Sequence, residues 1–374
     1  MAKELIDKGF DTEFNSKRIN DICRLFSSED KLQDLIDDIH LEDNAIDMKR
    51  GEFYPEILRG IMSLKSAISN VYKIDPRQTH PNLGCNGCID TILTAVKLRE
   101  IYRDIDPSKE GGMLVSTPTY FRNYNSSASK NIRMIKIPLK KHTWDFDIDS
   151  MLSEMIERKP SVIFLVTPNN PTGMAISDKD ILTIIEKAPL ETLVVMDRTL
   201  VNIKNEINSI DLIKRFQHKQ LAIMHSFSKY SGLSHLRVGF TLYSNINLGE
   251  EIRPLLPLGL PLEGVMKAIT FLNKDGGLKP SKKILSYINK NKQILEKFCK
   301  QSSLFDCTDF VGNYCLLILN NELTSQTVES HLLINGIYVM GGHEFPEPVN
   351  HLVRIHTGGK PEYMIKTIEA LQNI

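Results

Sequence analysis

Four stretches of the chain combine residue types that can do chemistry, and each stands beside a predicted secondary-structure element. The first is Met224-His225-Ser226-Phe227-Ser228-Lys229, with Arg237 a little further on. A lysine among small hydroxyl residues can act as an amine nucleophile toward a carbonyl when its site lowers its pKa. Ser226, Ser228 and Arg237 offer hydroxyl donors and a guanidinium to a phosphate. Most lysines are simply solvated, but a position just beyond an apolar run argues against that here. The second stretch is Val166-Thr167-Pro168-Asn169-Asn170-Pro171-Thr172-Gly173. It sits at the C-terminal end of a strand, where open α/β sheets bind ligands, although Asn, Pro and Gly also make ordinary turns. The third is Asp197, which closes Leu193-Val194-Val195-Met196. It either caps the next helix or supplies a counter-charge to a protonated ring nitrogen. The fourth, Gly84-Cys85-Asn86-Gly87, leads into a helical segment and offers backbone N–H groups and the positive end of a dipole to an anion. Cys85 and Cys88 also form a C-x-x-C. No second cysteine pair stands at zinc-finger spacing, so metal or redox use is the weaker reading.

The elements that must position these residues can be read from periodicity. Met113–Val115, Val162–Val166, Leu193–Met196 and Leu221–Met224 are unbroken apolar runs, the pattern of strands covered on both faces. Helix-length segments such as Ser177–Lys187 lie between them, which predicts an α/β core. Ile89, Ile92, Leu93 and Val96 define one face of a helix over 89–102. Residues 1–45 read as helical and charged. After about residue 265 a Lys-rich helix over 282–300, strands at 314–319 and 337–340 and a last helix from Pro361 predict an α+β unit. The Pro-rich crossing 254–261 is the expected boundary.

The 374 residues carry 46 basic and 46 acidic side chains, a balance that argues against a dedicated nucleic-acid binder. A 41% hydrophobic share is too high for a disordered chain. Six scattered cysteines do not make a disulfide framework and point to a reducing compartment. No run of about 18 apolar residues marks a membrane span, and the first residues lack a secretory signal's apolar stretch. A cytoplasmic protein is expected.

Taken together and in order, these motifs resemble the fold-type I pyridoxal-phosphate enzymes, the aspartate aminotransferase superfamily, and most nearly its histidinol-phosphate aminotransferase-like branch. The resemblance runs from about Ile46 to the C-terminus. It implies a large α/β domain, residues 46–262, around a mainly parallel seven-stranded sheet, with residues 1–45 and 263–374 forming a smaller α+β domain. It implies pyridoxal 5'-phosphate as cofactor, no metal, and an amino-acid substrate with a keto acid closing the cycle. The substrate's α-amine forms a Schiff base, and the carbanion that follows is delocalised into the ring. Lys229 would be the Schiff-base lysine and proton shuttle, and Asp197 the partner of the pyridinium nitrogen. Asn170 would bond the phenolic oxygen, and Tyr120 of Thr117-Pro118-Thr119-Tyr120 would stack on the ring. The backbone of Cys85, Asn86 and Gly87, with Ser226, Ser228 and Arg237, would form the phosphate cup. Arg354 of Leu352-Val353-Arg354-Ile355 would clamp the α-carboxylate, with Asn313 nearby. A homodimer with shared active sites, no nucleic acid and no membrane completes the expectation.

The sequence also departs from the family pattern. Where members read Asp-Glu-Ala-Tyr, this chain reads Asp197-Arg198-Thr199-Leu200, so the phenolic oxygen is left to Asn170 and Thr199. His235 replaces the usual glycine before Leu-Arg. Gly51-Glu52-Phe53-Tyr54-Pro55 fits either the substrate-side glycine loop, with Gly51 as contact, or the segment whose tyrosine reaches the neighbouring phosphate. Pyridoxal-phosphate arginine oxidases share Ser/Thr and an apolar residue at the second and third positions after the aspartate. An oxidase, cyclase or decarboxylase of an amino acid such as arginine is therefore the alternative. A regulator built on this fold would need a basic helix-turn-helix ahead of it, and residues 1–45 are too few and too mixed in charge. His343 and Glu344 are weaker substrate candidates on a loop near the expected site.

Overall fold

The computed structural model describes residues 54–106, 109–204, 207–230, 234–257, 259–275 and 278–374. Gly51 and the N-terminal segment 1–45 lie outside the described residues. The larger sheet has seven strands: β1 (Thr79–Asn82), β2 (Met113–Thr117), β3 (Met134–Pro138), β4 (Val162–Val166), β5 (Leu193–Asp197), β6 (Gln220–Ser226) and β7 (Gly239–Tyr243). Their spatial order is β1-β7-β6-β5-β4-β2-β3, and only β7 runs antiparallel to its neighbours. Every residue of β2, β4 and β5 is buried, as continuous apolar runs require when both faces are covered.

Strand alternation divides the core. Ile163 and Leu165 pack on one face with α1 (Tyr54–Tyr72), α4 (Ile148–Arg158) and α5 (Asp178–Lys187). Val162, Phe164 and Val166 pack on the other with Ile89, Ile92, Leu93 and Val96 of α2 (Gly84–Tyr102). Ser177 caps α5 by accepting from the Asp180 N–H. The short helices α3 (Phe121–Ser129), α6 (Ser209–Arg215), α7 (Phe227–Tyr230) and α8 (Ile246–Ile252) complete this unit. The helix at the expected boundary, α9 (Leu262–Asp275), buries Val265, Ala268 and Leu272 in the same cluster as α1 and the large sheet. By packing it goes with the large unit, whereas a division at 262 assigns it to the small one.

Beyond α9, α10 (Lys282–Gln301), β8 (Phe305–Cys307), β9 (Tyr314–Leu319), α11 (Ser325–Ile334), β10 (Met340–Gly341), β11 (Leu352–His356) and α12 (Pro361–Leu371) form the second unit. Its antiparallel sheet has the order β10-β11-β9-β8. Cys315, Leu317, Val353 and Ile355 face the three helices. The intervening residues Tyr314, Arg354 and His356 therefore share the opposite face.

In the large sheet the apolar runs do not mark β1, β3 and β7, and in the small sheet β8 and β11 are not expected from the sequence either. β1 holds His80 and Pro81, β3 is an edge strand carrying Lys136, and β7 begins with a glycine, so none shows an uninterrupted apolar run. The strand expected over 337–340 is only the two-residue β10, and α2 starts at Gly84 instead of Ile89. No helix among the described residues is long and apolar enough to cross a membrane.

Candidate active site

The parallel strands deliver their C-terminal ends to one cavity of about 200 Å³. Cys85, Asn86, Tyr120, Asn170, Asp197, Thr199, Ser226, Ser228, Lys229 and Arg237 all line it. Motifs separated by long stretches of sequence are thus brought into one site, as the strand-end position of each requires.

Asp197 is the last residue of β5 and is buried. Its Oδ1 accepts from the Thr199 N–H at 2.9 Å and its Oδ2 from Cys85 Sγ at 3.3 Å. Burial pushes its carboxyl above the ordinary carboxylate range, against the opposing pull of the Thr199 and Cys85 hydrogen bonds. Among the described residues no cation pairs with it. Lys229 sits on the short helix α7 that β6 runs into, with its Nζ 5.3 Å from the Tyr314 ring centre.

The turn after β4 divides the work of its two asparagines. Asn169 is structural: its side-chain amide donates to Pro118 O at 3.0 Å and to Thr172 Oγ1 at 3.2 Å. Asn170 faces the cavity and accepts from Arg354 Nη1 at 2.9 Å. Gly173 has φ +72°, and a Cβ there would lie 2.0 Å from Tyr314 O. Only glycine lets the turn approach the small sheet so closely. Thr308 Oγ1 donates to Thr172 O and the Val311 N–H to Gly173 O, tying the two units together beside the cavity.

One end of the cavity is built for an anion. The α2 N-terminus has Leu83 at its cap position, which makes no side-chain capping bond. Its first-turn N–H groups at Cys85 and Asn86 are thus left for another acceptor. Gly84, at φ +65°, makes room for the Arg237 guanidinium, whose Nη2 lies 2.9 Å from where a Cβ would stand. Ser226 Oγ accepts from the Ser228 N–H at 3.2 Å. Gly87 differs from the expectation. Its N–H already donates to Leu83 O, and its missing side chain serves packing against Asn82. Tyr120 donates to Asn86 Oδ1 at 2.9 Å, and burial raises its phenol to about 12.

The small sheet closes the cavity. Arg354 stacks over the Tyr314 ring, its Cζ 4.5 Å from the centre, and His356 meets the same ring edge-on at 5.4 Å. The packing around His356, then the charges of Lys229 and Arg354, draw its pKa down to about 4. Neither Tyr314 nor His356 was singled out from sequence. The signal was available in the alternation of β9 and β11, which pairs Tyr314 with His356 across the strands. Asn313 is buried and does not line the cavity. Its Oδ1 accepts from the Val201 N–H at 2.7 Å, so it holds the loop after Asp197. His343 points elsewhere, to Ser325 Oγ at 2.9 Å and Glu329 at 3.2 Å. Leu200, in the place of the family tyrosine, lines the cavity with an apolar side chain.

The aminotransferase class I and II family profile matches residues 28–371. The chain belongs to the class I and II aminotransferases. It is 25% identical over 302 residues to histidinol-phosphate aminotransferase of Vibrio vulnificus, covering 80% of each chain. Its fold is similar to that of histidinol-phosphate aminotransferase from Sinorhizobium meliloti in complex with pyridoxal 5'-phosphate. That match has a TM-score of 0.69 at 19% identity and covers 84% of this chain and 81% of that one. It is also similar to L-threonine-O-3-phosphate decarboxylase from Porphyromonas gingivalis, with a TM-score of 0.66 at 17% identity, covering 86% and 93%. The expected fold type, enzyme class and pyridoxal-phosphate cofactor are those of this family. The residues present fit that group. A buried carboxylate without a cationic partner awaits a ring N–H, and an uncapped helix end with an arginine and two serines awaits a phosphate.

Proposed function

We propose that this aminotransferase removes the α-amino group of an amino acid with Lys229 as its catalytic residue and a keto acid as the second substrate. The observation that carries this reading is that Asp197 and Lys229 line one cavity, with Arg354 held beside it on two of the lining residues, Asn170 and Tyr314. Pyridoxal phosphate, when bound, supplies an electron sink for the negative charge left at the substrate's α-carbon.

The protein's own residues do the rest. Lys229 would hold the cofactor and, as a free amine, would take up and return the substrate's α-proton. Asp197 keeps a proton on the ring nitrogen, and ion pairing there offsets the burial that otherwise raises its pKa. Asn170 steadies the Arg354 guanidinium with its amide oxygen, leaving its amide N–H₂ for the phenolic oxygen. Arg354 clamps the substrate carboxylate while Tyr314 supports its plane. Ser226, Ser228, Arg237 and the Cys85 and Asn86 N–H groups would hold the phosphate, and Tyr120 would pack against the ring. Gly51 is assigned to the substrate side, and Asn313 acts on the substrate through the loop it holds.

The relatives named above act, by their names, on histidinol phosphate and on a phosphorylated threonine, and a phosphate-ester amine is the first substrate class to try. The two sheets are read as two units, with α9 in the large one. A cytoplasmic homodimer with shared sites belongs to the same reading, and light scattering would measure its mass.

Leu200 favours one second reading. Without the family tyrosine, one donor to the phenolic oxygen is gone, which suits an oxidase, cyclase or decarboxylase. A panel of amino acids with and without keto acid, followed for oxygen and carbon dioxide, separates the two. Amino-group transfer that requires a keto acid is expected. Oxygen uptake or carbon dioxide release without one would overturn transamination.

A further inference from the structure

Asp197 takes one hydrogen bond from the backbone of Thr199 and one from a thiol, that of Cys85. The sequence reading gave Cys85 a role through its backbone alone. A carboxylate offers about four lone-pair sites, so both oxygens keep capacity for a further N–H. Cys85 is buried, and that burial, then the neighbouring Asp197 charge, pushes its thiol well up. It therefore stays protonated and acts as donor at any working pH. A thiol is a weak donor, a hydroxyl in its place is a stronger one, and a methyl is none. Each bond a carboxylate accepts lowers its affinity for another proton. The residue type at 85 thus controls how basic Asp197 is.

Resting on the reading that Asp197 pairs with the ring nitrogen, we propose that Cys85 is a positioning residue. Its thiol orients the Asp197 carboxylate and sets the pull on the ring proton between the levels that Ala and Ser would give. Cys85 then acts alongside Leu200, because both bear on the electronics of the ring, one at the nitrogen and one at the phenolic oxygen.

The test uses holoenzyme carrying pyridoxal phosphate labelled with ¹⁵N in the ring, as wild type, Cys85→Ala and Cys85→Ser. The wild-type nitrogen should read as protonated. The Ala variant, whose carboxylate is more basic and pulls harder on the shared proton, should shift it toward neutral pyridine, and the Ser variant further toward the protonated position. For Ala, kcat should fall about 2- to 10-fold with KM little changed, the size of effect one altered hydrogen bond gives. Loss of mere packing would move both variants in one direction. Shifts of the same sign, or no shift with a protonated wild type, overturn the inference. A wild-type nitrogen that is itself unprotonated overturns the Asp197 pairing and this inference with it.

Discussion

The two walls of the cavity are built differently. On the large-sheet side, Asp197, Ser226 and Lys229 each follow directly from a buried parallel strand, and the backbone alone delivers them. On the small-sheet side Tyr314 lines the cavity, and Arg354 and His356, from the same face of an antiparallel pair, stack on its ring. The first wall is set by backbone position at strand ends and suits a resident cofactor. The second depends on side-chain contacts, with Arg354 as the only described hydrogen bond from β11 to the Asn170 turn, and suits the substrate, which changes from turnover to turnover.

This contrast predicts that changes on the cofactor wall strike kcat and cofactor retention, and changes on the substrate wall strike KM. The largest effect belongs to Lys229→Ala. Loss of both nucleophile and general base should cost at least about 10³-fold in kcat and abolish the yellow absorbance of the bound cofactor. Asp197→Asn comes next, at on the order of 10²–10³-fold in kcat with the fold intact by circular dichroism. Arg354→Lys keeps the charge but loses the planar fork and its stacking on Tyr314. KM for the amino acid should rise about 10- to 100-fold with kcat within a few-fold. A kcat loss exceeding the KM effect would erase the distinction between the walls.

The last effect is on stability, not on turnover, and lies behind the cofactor wall. His80 and His225 are buried, and burial draws both down to about 3. Below about pH 6.5 the unfolded chain binds protons that the folded one does not. Stability should therefore fall as pH drops from 6.5 toward 3, by up to about 1.4 kcal/mol per pH unit for each histidine. Urea midpoints at pH 7, 6 and 5 would check this, and His225→Asn should flatten the slope. A midpoint that does not change with pH contradicts the buried neutral state.

The same difference explains what was legible in the sequence. Asp197, Asn170 and Lys229 could be read because each stands where an apolar run ends, a local signal. Tyr314 and His356 could not be read that way, because their meeting depends on the register of β9 against β11. Gly87 and Asn313 had the right motif for direct contact, but their groups are engaged by Leu83, Asn82 and Val201. Only three-dimensional neighbours reveal that. Cys85 shows the converse: its backbone role followed from the glycine-rich turn, whereas its thiol reaches Asp197 on a distant strand.

The central claim is that Lys229 carries the cofactor in the cavity that it lines with Asp197. Borohydride reduction of the holoenzyme, followed by peptide mass spectrometry, tests it most directly. The account predicts the reduced pyridoxyl-phosphate adduct on the peptide that contains Lys229 and on no other lysine. An adduct on a different lysine, or a cofactor that washes away unreduced, would contradict it.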